Sequence, residues 1–268
     1  MDEAANSVPV TFREDHLEAD GFRIKYLEAG QGSRVVILEG NTWGISKLHD
    51  ALAQRCRVVV LELPGFRSSL ANIRSSSARD LAGTTVQAAA KLVPEKYTLI
   101  GGSFAANVAL WHTLLVPDQV EALVLVSPTA LLPLGNPAGG EPVEQAKQLL
   151  AHPENASGLP RIARDIAAKE QELVRRLGGD THDAEAENRL SEVQCPTLVV
   201  FGSQDRLVAG EAASIYRRDI PNCNVSIVYD AGHLIVAERP EALINTVADF
   251  VERRETFIVS RQSRVINP

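Results

Sequence analysis

Residues 98–112 read TLIGGSFAANVALWH. An apolar, β-branched run ends at Gly101-Gly102, a single serine follows, and a helical pattern begins at once. Three kinds of turn fit that outline: a packing turn, a nucleotide-binding turn, or a turn that presents a nucleophile. The nucleotide reading fails at one residue. A dinucleotide fingerprint needs G-x-G-x-x-G/A, and the position two after Gly101 is Ser103; no G-x-x-x-x-G-K-[ST] occurs either. The packing turn stays open on the turn alone. A nucleophile turn requires small residues two before and two after the serine, which Gly101 and Ala105 supply. It also leaves the Phe104 N–H at the positive end of the following helix, where an oxyanion would develop.

A serine hydroxyl is a weak nucleophile at neutral pH and needs a base with an orienting acid. After PTLVVFG (196–202) comes Asp205, and after VSIVYDAG (225–232) comes His233. Both stand where strand-like runs end. A loop Asp is usually a cap and a lone His usually a packing residue, so the weight rests on the order Ser103, Asp205, His233. Asp230 is a rival acid, only three residues from His233.

Outward from these residues, short apolar runs alternate with helical patterns. RVVILEG (34–40), RVVVLELPG (57–65), YTLIGG, EALVLVSP (121–128), PTLVVFG and VSIVYDAG suit strands of a parallel sheet buried on both faces. Residues 10–19 and 22–30 alternate about Asp20-Gly21 as an antiparallel hairpin. The class is α/β: a mostly parallel central sheet with an antiparallel N-terminal hairpin. Residues 131–194 contain no strand-like run and no Phe, Tyr or Trp. Pro142 and Pro160 fit first helical turns and Gly178 a helix stop. This segment is expected to be a helical cap inserted into a core domain of residues 1–130 and 195–268, over the sheet edge where open α/β sheets bind ligands.

Composition excludes several classes. A net charge of −7 opposes nucleic-acid binding, and Arg253, Arg254, Arg261 and Arg264 read as a solvated chain end. The three cysteines, Cys56, Cys195 and Cys223, are odd in number and widely spaced, as in a reduced, cytoplasmic protein. No signal pattern opens the chain, and its most apolar stretch is broken by Ser127 and Pro128, so no membrane span is expected. The six histidines lack metal-ligand spacing. A small-molecule substrate and no cofactor or metal are expected; oligomeric state is left open, although TFIVS (256–260) could add an edge strand to a partner.

Together the pieces GGSFA (101–105), FGSQDRLV (201–208) and AGHLIVAERPEALINTVADFV (231–251) resemble the α/β-hydrolase fold superfamily, with LEGNTWG (38–44) and LELPGFRSS (61–69) similar to its two other active-edge loops. The resemblance spans nearly the whole chain outside the cap. It implies Ser103 as nucleophile, His233 as general base, Asp205 as its orienting acid, and the backbone amides of Asn41 and Phe104 as an oxyanion hole. The reading is a serine hydrolase cleaving an ester or related acyl bond through an acyl-enzyme. Dehalogenases and epoxide hydrolases of this fold carry an Asp nucleophile, so Ser103 argues against both. Carbon–carbon bond hydrolases, proline-iminopeptidase-like enzymes and non-hydrolytic binding proteins or lyases remain alternatives. The family's usual His-Gly is here Glu39-Gly40. A carboxylate roughly 7 Å from an oxyanion would oppose it by about 2 to 3 kcal/mol at an effective dielectric near 20. Glu39 should therefore turn away, be protonated, or pair with a cation such as Arg67.

Overall fold

The computed structural model describes residues 10–40, 45–134, 141–257 and 265–266. Its strands are β1 (Arg13–Ala19), β2 (Phe22–Ala29), β3 (Ser33–Glu39), β4 (Cys56–Glu62), β5 (Tyr97–Gly102), β6 (Val120–Val126), β7 (Thr197–Gly202), β8 (Cys223–Val228) and β9 (Val265–Ile266). They form one sheet in the order β1-β2-β4-β3-β5-β6-β7-β8-β9. From β4 to β8 every neighbouring pair is parallel; β1, β2 and β9 are antiparallel additions. The β1–β2 turn places both Asp20 (φ 50°) and Gly21 (φ 72°) at positive φ, the geometry that matches the twist of a two-residue hairpin.

The apolar runs pack on both faces because their side chains alternate. Val36, Leu38, Val59, Leu61, Leu99, Leu123 and Leu125 join one buried cluster, while Val35, Ile37, Val58, Val60, Ile100 and Val124 join the other. The first face is covered by α2 (Ala78–Leu92), α3 (Phe104–Leu115) and α7 (Ala212–Asp219); the second by α1 (Lys47–Ala53) and α9 (Pro240–Arg253). Between β6 and β7 the described chain forms α4 (Pro142–Leu149), a 3-10 turn (Pro153–Gly158), α5 (Arg164–Arg176) and α6 (Ala184–Asn188). Pro142 opens α4 and Gly178 (φ 77°) follows the end of α5, as expected. Pro160 does not open a helix: the backbone stays extended to Ala163 (ψ 139°), and α5 starts four residues later than Pro160, at Arg164.

Asp183 anchors the far end of this insertion. One carboxylate oxygen accepts from the Ala186 N–H (2.9 Å), the other from Trp111 Nε1 on α3 (2.7 Å), and its own N–H donates to the Ala130 carbonyl (2.8 Å). At the chain's end Phe257 is buried edge-on against Phe250, and β9 pairs with β8 of its own sheet. Residues 258–260 of the TFIVS stretch lie outside the described residues.

His112 shows how α2, α3 and β5 are joined. It is fully buried, with Nδ1 2.8 Å from Thr85 Oγ1 and Nε2 2.6 Å from the Tyr97 hydroxyl, and burial lowers its pKa to about 3. Unfolding returns it to the ordinary histidine range, so the unfolded chain takes up a proton that the folded chain refuses. The stability tied to neutral His112 is complete above pH ~6.5 and is lost as pH falls towards ~3. We expect a loss of about 2 to 3 kcal/mol between pH 6.5 and 4.5, at ~1.4 kcal/mol per pH unit. Urea midpoints of wild type and His112→Asn measure this; parallel pH profiles would contradict it.

Candidate active site

Chain order sets the site's location. From β3 the chain goes outward to β4, then crosses back to β5 on the other side of β3. Crevices at such reversals, beyond the strands' carboxyl ends, are where open α/β sheets bind ligands. Glu39 ends β3 there, and Ser103 follows β5.

Ser103 sits at φ 53°, ψ −124°, a backbone state that a non-glycine residue adopts only when its surroundings impose it. The Ser103 N–H donates to the Val126 carbonyl (2.8 Å), and the Ala106 N–H to the Ser103 carbonyl (3.0 Å). Gly101 is required by space: a Cβ there would lie 2.4 Å from the Ala105 carbonyl oxygen. The turn therefore pushes the hydroxyl outward. Ser103 Oγ is 2.8 Å from His233 Nε2, and His233 Nδ1 is 2.9 Å from Asp205 Oδ2. Asp205's other oxygen accepts from the N–H groups of Leu207 (2.8 Å) and Val208 (3.2 Å). Side chains of His233 and Asp205 are only 2% and 4% exposed, so the relay is shielded from water.

Phe104, with its N–H at the first position of α3, follows directly, and its ring stacks on Phe66 at 6.1 Å. Asn41 lies outside the described residues. Asp230 is brought close to His233 in sequence but not in bonding. It faces His152 Nε2 (2.8 Å), Gln204 Nε2 (3.3 Å) and the Arg239 guanidinium instead. Burial raises the pKa of all three thiols, Cys195 to about 11 and Cys223 to about 12 with Cys56 shifted the same way, which keeps them protonated. Among the described residues no cluster of His, Cys, Asp or Glu could hold a metal ion. Nor is any of their helices long and apolar enough to cross a membrane.

These elements line a half-open cavity of about 750 Å³, with Ser103 and His233 in its wall and residues of α4 and α5 also lining it. The geometry and the chain's kinships agree. Residues 35–246 match the model of the alpha/beta hydrolase family. The chain belongs to that family. Over 94% of its length it is 27% identical to a 2-hydroxy-6-oxononadienedioate/2-hydroxy-6-oxononatrienedioate hydrolase of Pseudomonas putida, covering 98% of that protein. It is 24% identical to the 2-hydroxy-6-oxo-6-(2'-aminophenyl)hexa-2,4-dienoic acid hydrolase of Metapseudomonas resinovorans, covering 90% of this chain and 91% of that one. In fold it is similar to a meta-cleavage product hydrolase from Pseudomonas fluorescens (TM-score 0.75, 16% identity, covering 89% of this chain and 97% of the other).

Three residues that sequence reading passed over also shape this alpha/beta hydrolase site. Glu238, buried in the short helix α8 (Ile235–Glu238), accepts from three backbone N–H groups: Gly232 (2.7 Å), Ala151 (3.1 Å) and His152 (2.9 Å). One carboxylate thus ties the histidine loop to the chain after α4, and the His233 N–H itself donates to the Leu149 carbonyl (2.8 Å). His49 is the second. Its Nδ1 takes the Ser46 N–H (3.0 Å), and its Nε2 lies 3.2 Å from buried Glu39, a close approach not aligned as a hydrogen bond. Arg67, the cation named as one possible partner for Glu39, lies 3.6 Å from Glu62 at the end of β4, with its backbone at φ 49°.

Glu170 is the third. On α5, its carboxylate accepts the Arg67 N–H (2.6 Å) while the neighbouring Lys169 ammonium donates to the Arg67 and Ser69 carbonyls (2.8 Å each). Burial raises Glu170 to about 7, outweighing the Arg67 N–H bond and the nearby Lys169 and Arg67 charges that lower it. Separating α5 from this loop would let Glu170 ionise in water. The contact is therefore strongest below pH ~4.5 and weakens as pH rises through about 7. We expect amide exchange in α5, corrected for intrinsic rate, to be several-fold faster at pH 8 than at pH 6, and Glu170→Gln to flatten that dependence. A pH-independent wild type would contradict the assignment.

Proposed function

We propose that this chain is a cofactor-independent serine hydrolase that cleaves a carbon–carbon bond beside a ketone in a small molecule, with residues 131–194 acting as a cap over the substrate. The observation that carries the reading is the Ser103–His233–Asp205 relay, assembled at hydrogen-bond distances beside a cavity that Ser103 and His233 line. Similarity over nine-tenths of the chain to hydrolases of 6-oxo dienoates favours the carbon leaving group over the ester.

In this mechanism His233 Nε2 takes the Ser103 proton as Oγ attacks the ketone carbon. The resulting oxyanion points at the Phe104 N–H, supported by the positive end of α3. Asp205 holds Nδ1–H and stabilises the imidazolium. Collapse breaks the bond to the departing carbon, which leaves as an enol after receiving the proton from His233. Water, deprotonated by the same imidazole, then hydrolyses the acyl-serine. A carbon leaving group is expelled only if its electrons can spread into an adjacent carbonyl, so the substrate carries a second, conjugated or β-placed carbonyl.

Ester hydrolysis is the second reading, since the acyl-enzyme half of the cycle is the same. The test is product analysis with a vinylogous 1,5-diketone and a p-nitrophenyl ester, using wild type and Ser103→Ala. Ser103-dependent cleavage of the diketone supports the proposal. Ester turnover with an untouched diketone sinks it in favour of the second reading.

A further inference from the structure

We propose that the insertion between β6 and β7 does more than line the cavity: through residues 149–152 it holds the main chain of His233, and Glu238 is the positioning residue that joins the two. This rests on the reading of His233 as the general base of Ser103, and adds to it what keeps that base in place.

The main chain of His233 is gripped from two sides. Its carbonyl accepts from the buried Ser127 Oγ (3.1 Å), just beyond β6, and its N–H donates to the Leu149 carbonyl (2.8 Å). Leu149 is the last residue of α4, so its carbonyl finds no partner inside the helix and is free for the histidine loop. The sheet core holds one side of the histidine and the insertion holds the other.

Glu238 sets the distance between the two segments. Its Oε2 takes the N–H groups of Gly232 and Ala151, and its Oε1 takes that of His152, so one buried carboxylate bridges the residue before the histidine to the insertion. The two main chains lie in direct contact: a Cβ at Gly232 would stand 2.6 Å from both the Ala151 nitrogen and the Leu149 oxygen. Beside them Leu150 and Leu234 share a small buried cluster with Ala156, and His152 Nε2 lies 2.8 Å from Asp230 Oδ1. Asp230, Gly232, His233 and Leu234 thus each meet the insertion.

The same helix faces the substrate space, since Gln145, Ala146 and Leu149 of α4 line the cavity. A molecule under α4 and the imidazole beside it therefore share one support. A shift of α4 moves the peptide that carries the base, and a misplacement of about 1 Å at reacting atoms costs about a hundredfold in rate.

The test compares two leucine-to-alanine variants of the insertion. Leu150→Ala removes the apolar seat beside His233. Leu173→Ala opens a similarly buried site on α5, beside Gly65, and neither leucine is among the described lining residues. Each protein is treated with a hexyl fluorophosphonate: Ser103 Oγ forms the phosphorus–oxygen bond, fluoride leaves, and the serine proton passes to His233. Labelling against probe concentration separates the rate at saturation, which needs the imidazole in place, from the half-saturating concentration, which reads how the cavity holds the probe.

We expect Leu150→Ala to lower the saturating rate about tenfold with half-saturation within about twofold of wild type, and Leu173→Ala to keep the saturating rate within about twofold. Glu238→Gln should match Leu150→Ala, because an amide offers one acceptor oxygen where three N–H groups converge, and it carries the comparison if Leu150→Ala does not fold. An unchanged saturating rate in either of these two variants, once folded, overturns the proposal. So does an equal fall in Leu173→Ala, which would make the loss one of general stability. If wild-type Ser103 takes no label, the serine-hydrolase reading fails and the proposal with it, which keeps the two failures apart.

Discussion

Ser103→Ala should reduce turnover by about 10⁴-fold or more while the protein melts within a few degrees of wild type. The first half follows from the relay: without Oγ there is no bond to the carbonyl carbon, and His233 and Asp205 have no proton to move. The second half follows from the turn. Ser103 is held at φ 53° by the Val126 carbonyl and by α3 behind it, and alanine has the same Cβ to accommodate. Only one hydrogen bond, to His233 Nε2, is removed, which typically contributes about 1 kcal/mol. Ser103→Gly separates the two effects further, since glycine relaxes the positive φ: it should be equally inactive and no less stable. Kinetics beside thermal melts decide it. Residual activity within tenfold of wild type would mean that the elbow serves packing alone.

The site was readable from sequence where the fold puts chemistry at strand ends. Apolar runs such as VVIL and LVVF suit strands buried on both faces, and their stops at Gly101-Gly102, Gly202 and Ala231-Gly232 mark the sheet edge that carries Ser103, Asp205 and His233. Those residues therefore announced themselves by position. Glu238 did not, because its partners Ala151 and His152 lie more than eighty residues away and offer only backbone N–H groups, which have no signature. Lys169 and Glu170 were hidden for the same reason: they grip the main chain of Arg67 and Ser69 across about a hundred residues. The spacing of Ser46 and His49 carried a usable signal, an N-cap serine with a hydrogen-bonding side chain three residues on, although a histidine is an unusual occupant. Whether Arg67 would reach Glu39, one of three outcomes left open for that carboxylate, was not legible, because sequence shows that two loops are neighbours without showing which way a residue at positive φ sends its side chain.

Asp205→Asn is the sharper test of the relay, since it leaves every heavy-atom position available. Asparagine can still accept the Leu207 and Val208 N–H groups through its carbonyl oxygen, so the loop keeps its shape. Its NH₂ then faces His233 Nδ1 as a donor, which forces the imidazole into the tautomer with its proton on Nε2. That nitrogen now donates towards Ser103 and cannot take its proton. The charge that stabilised the imidazolium is also gone from a nearly dry site. We expect a loss of roughly 10³ to 10⁴ in kcat, eased as pH rises and hydroxide substitutes for the base. Asp230→Asn is the matched control. Asp230 is partly exposed and occupied by His152, Gln204 and Arg239, so its loss should cost less than about tenfold and act through the loop. If Asp230→Asn were the inactive variant and Asp205→Asn near wild type, the histidine would be oriented by the other acid, and the bond between His233 and Asp205 would be structural only.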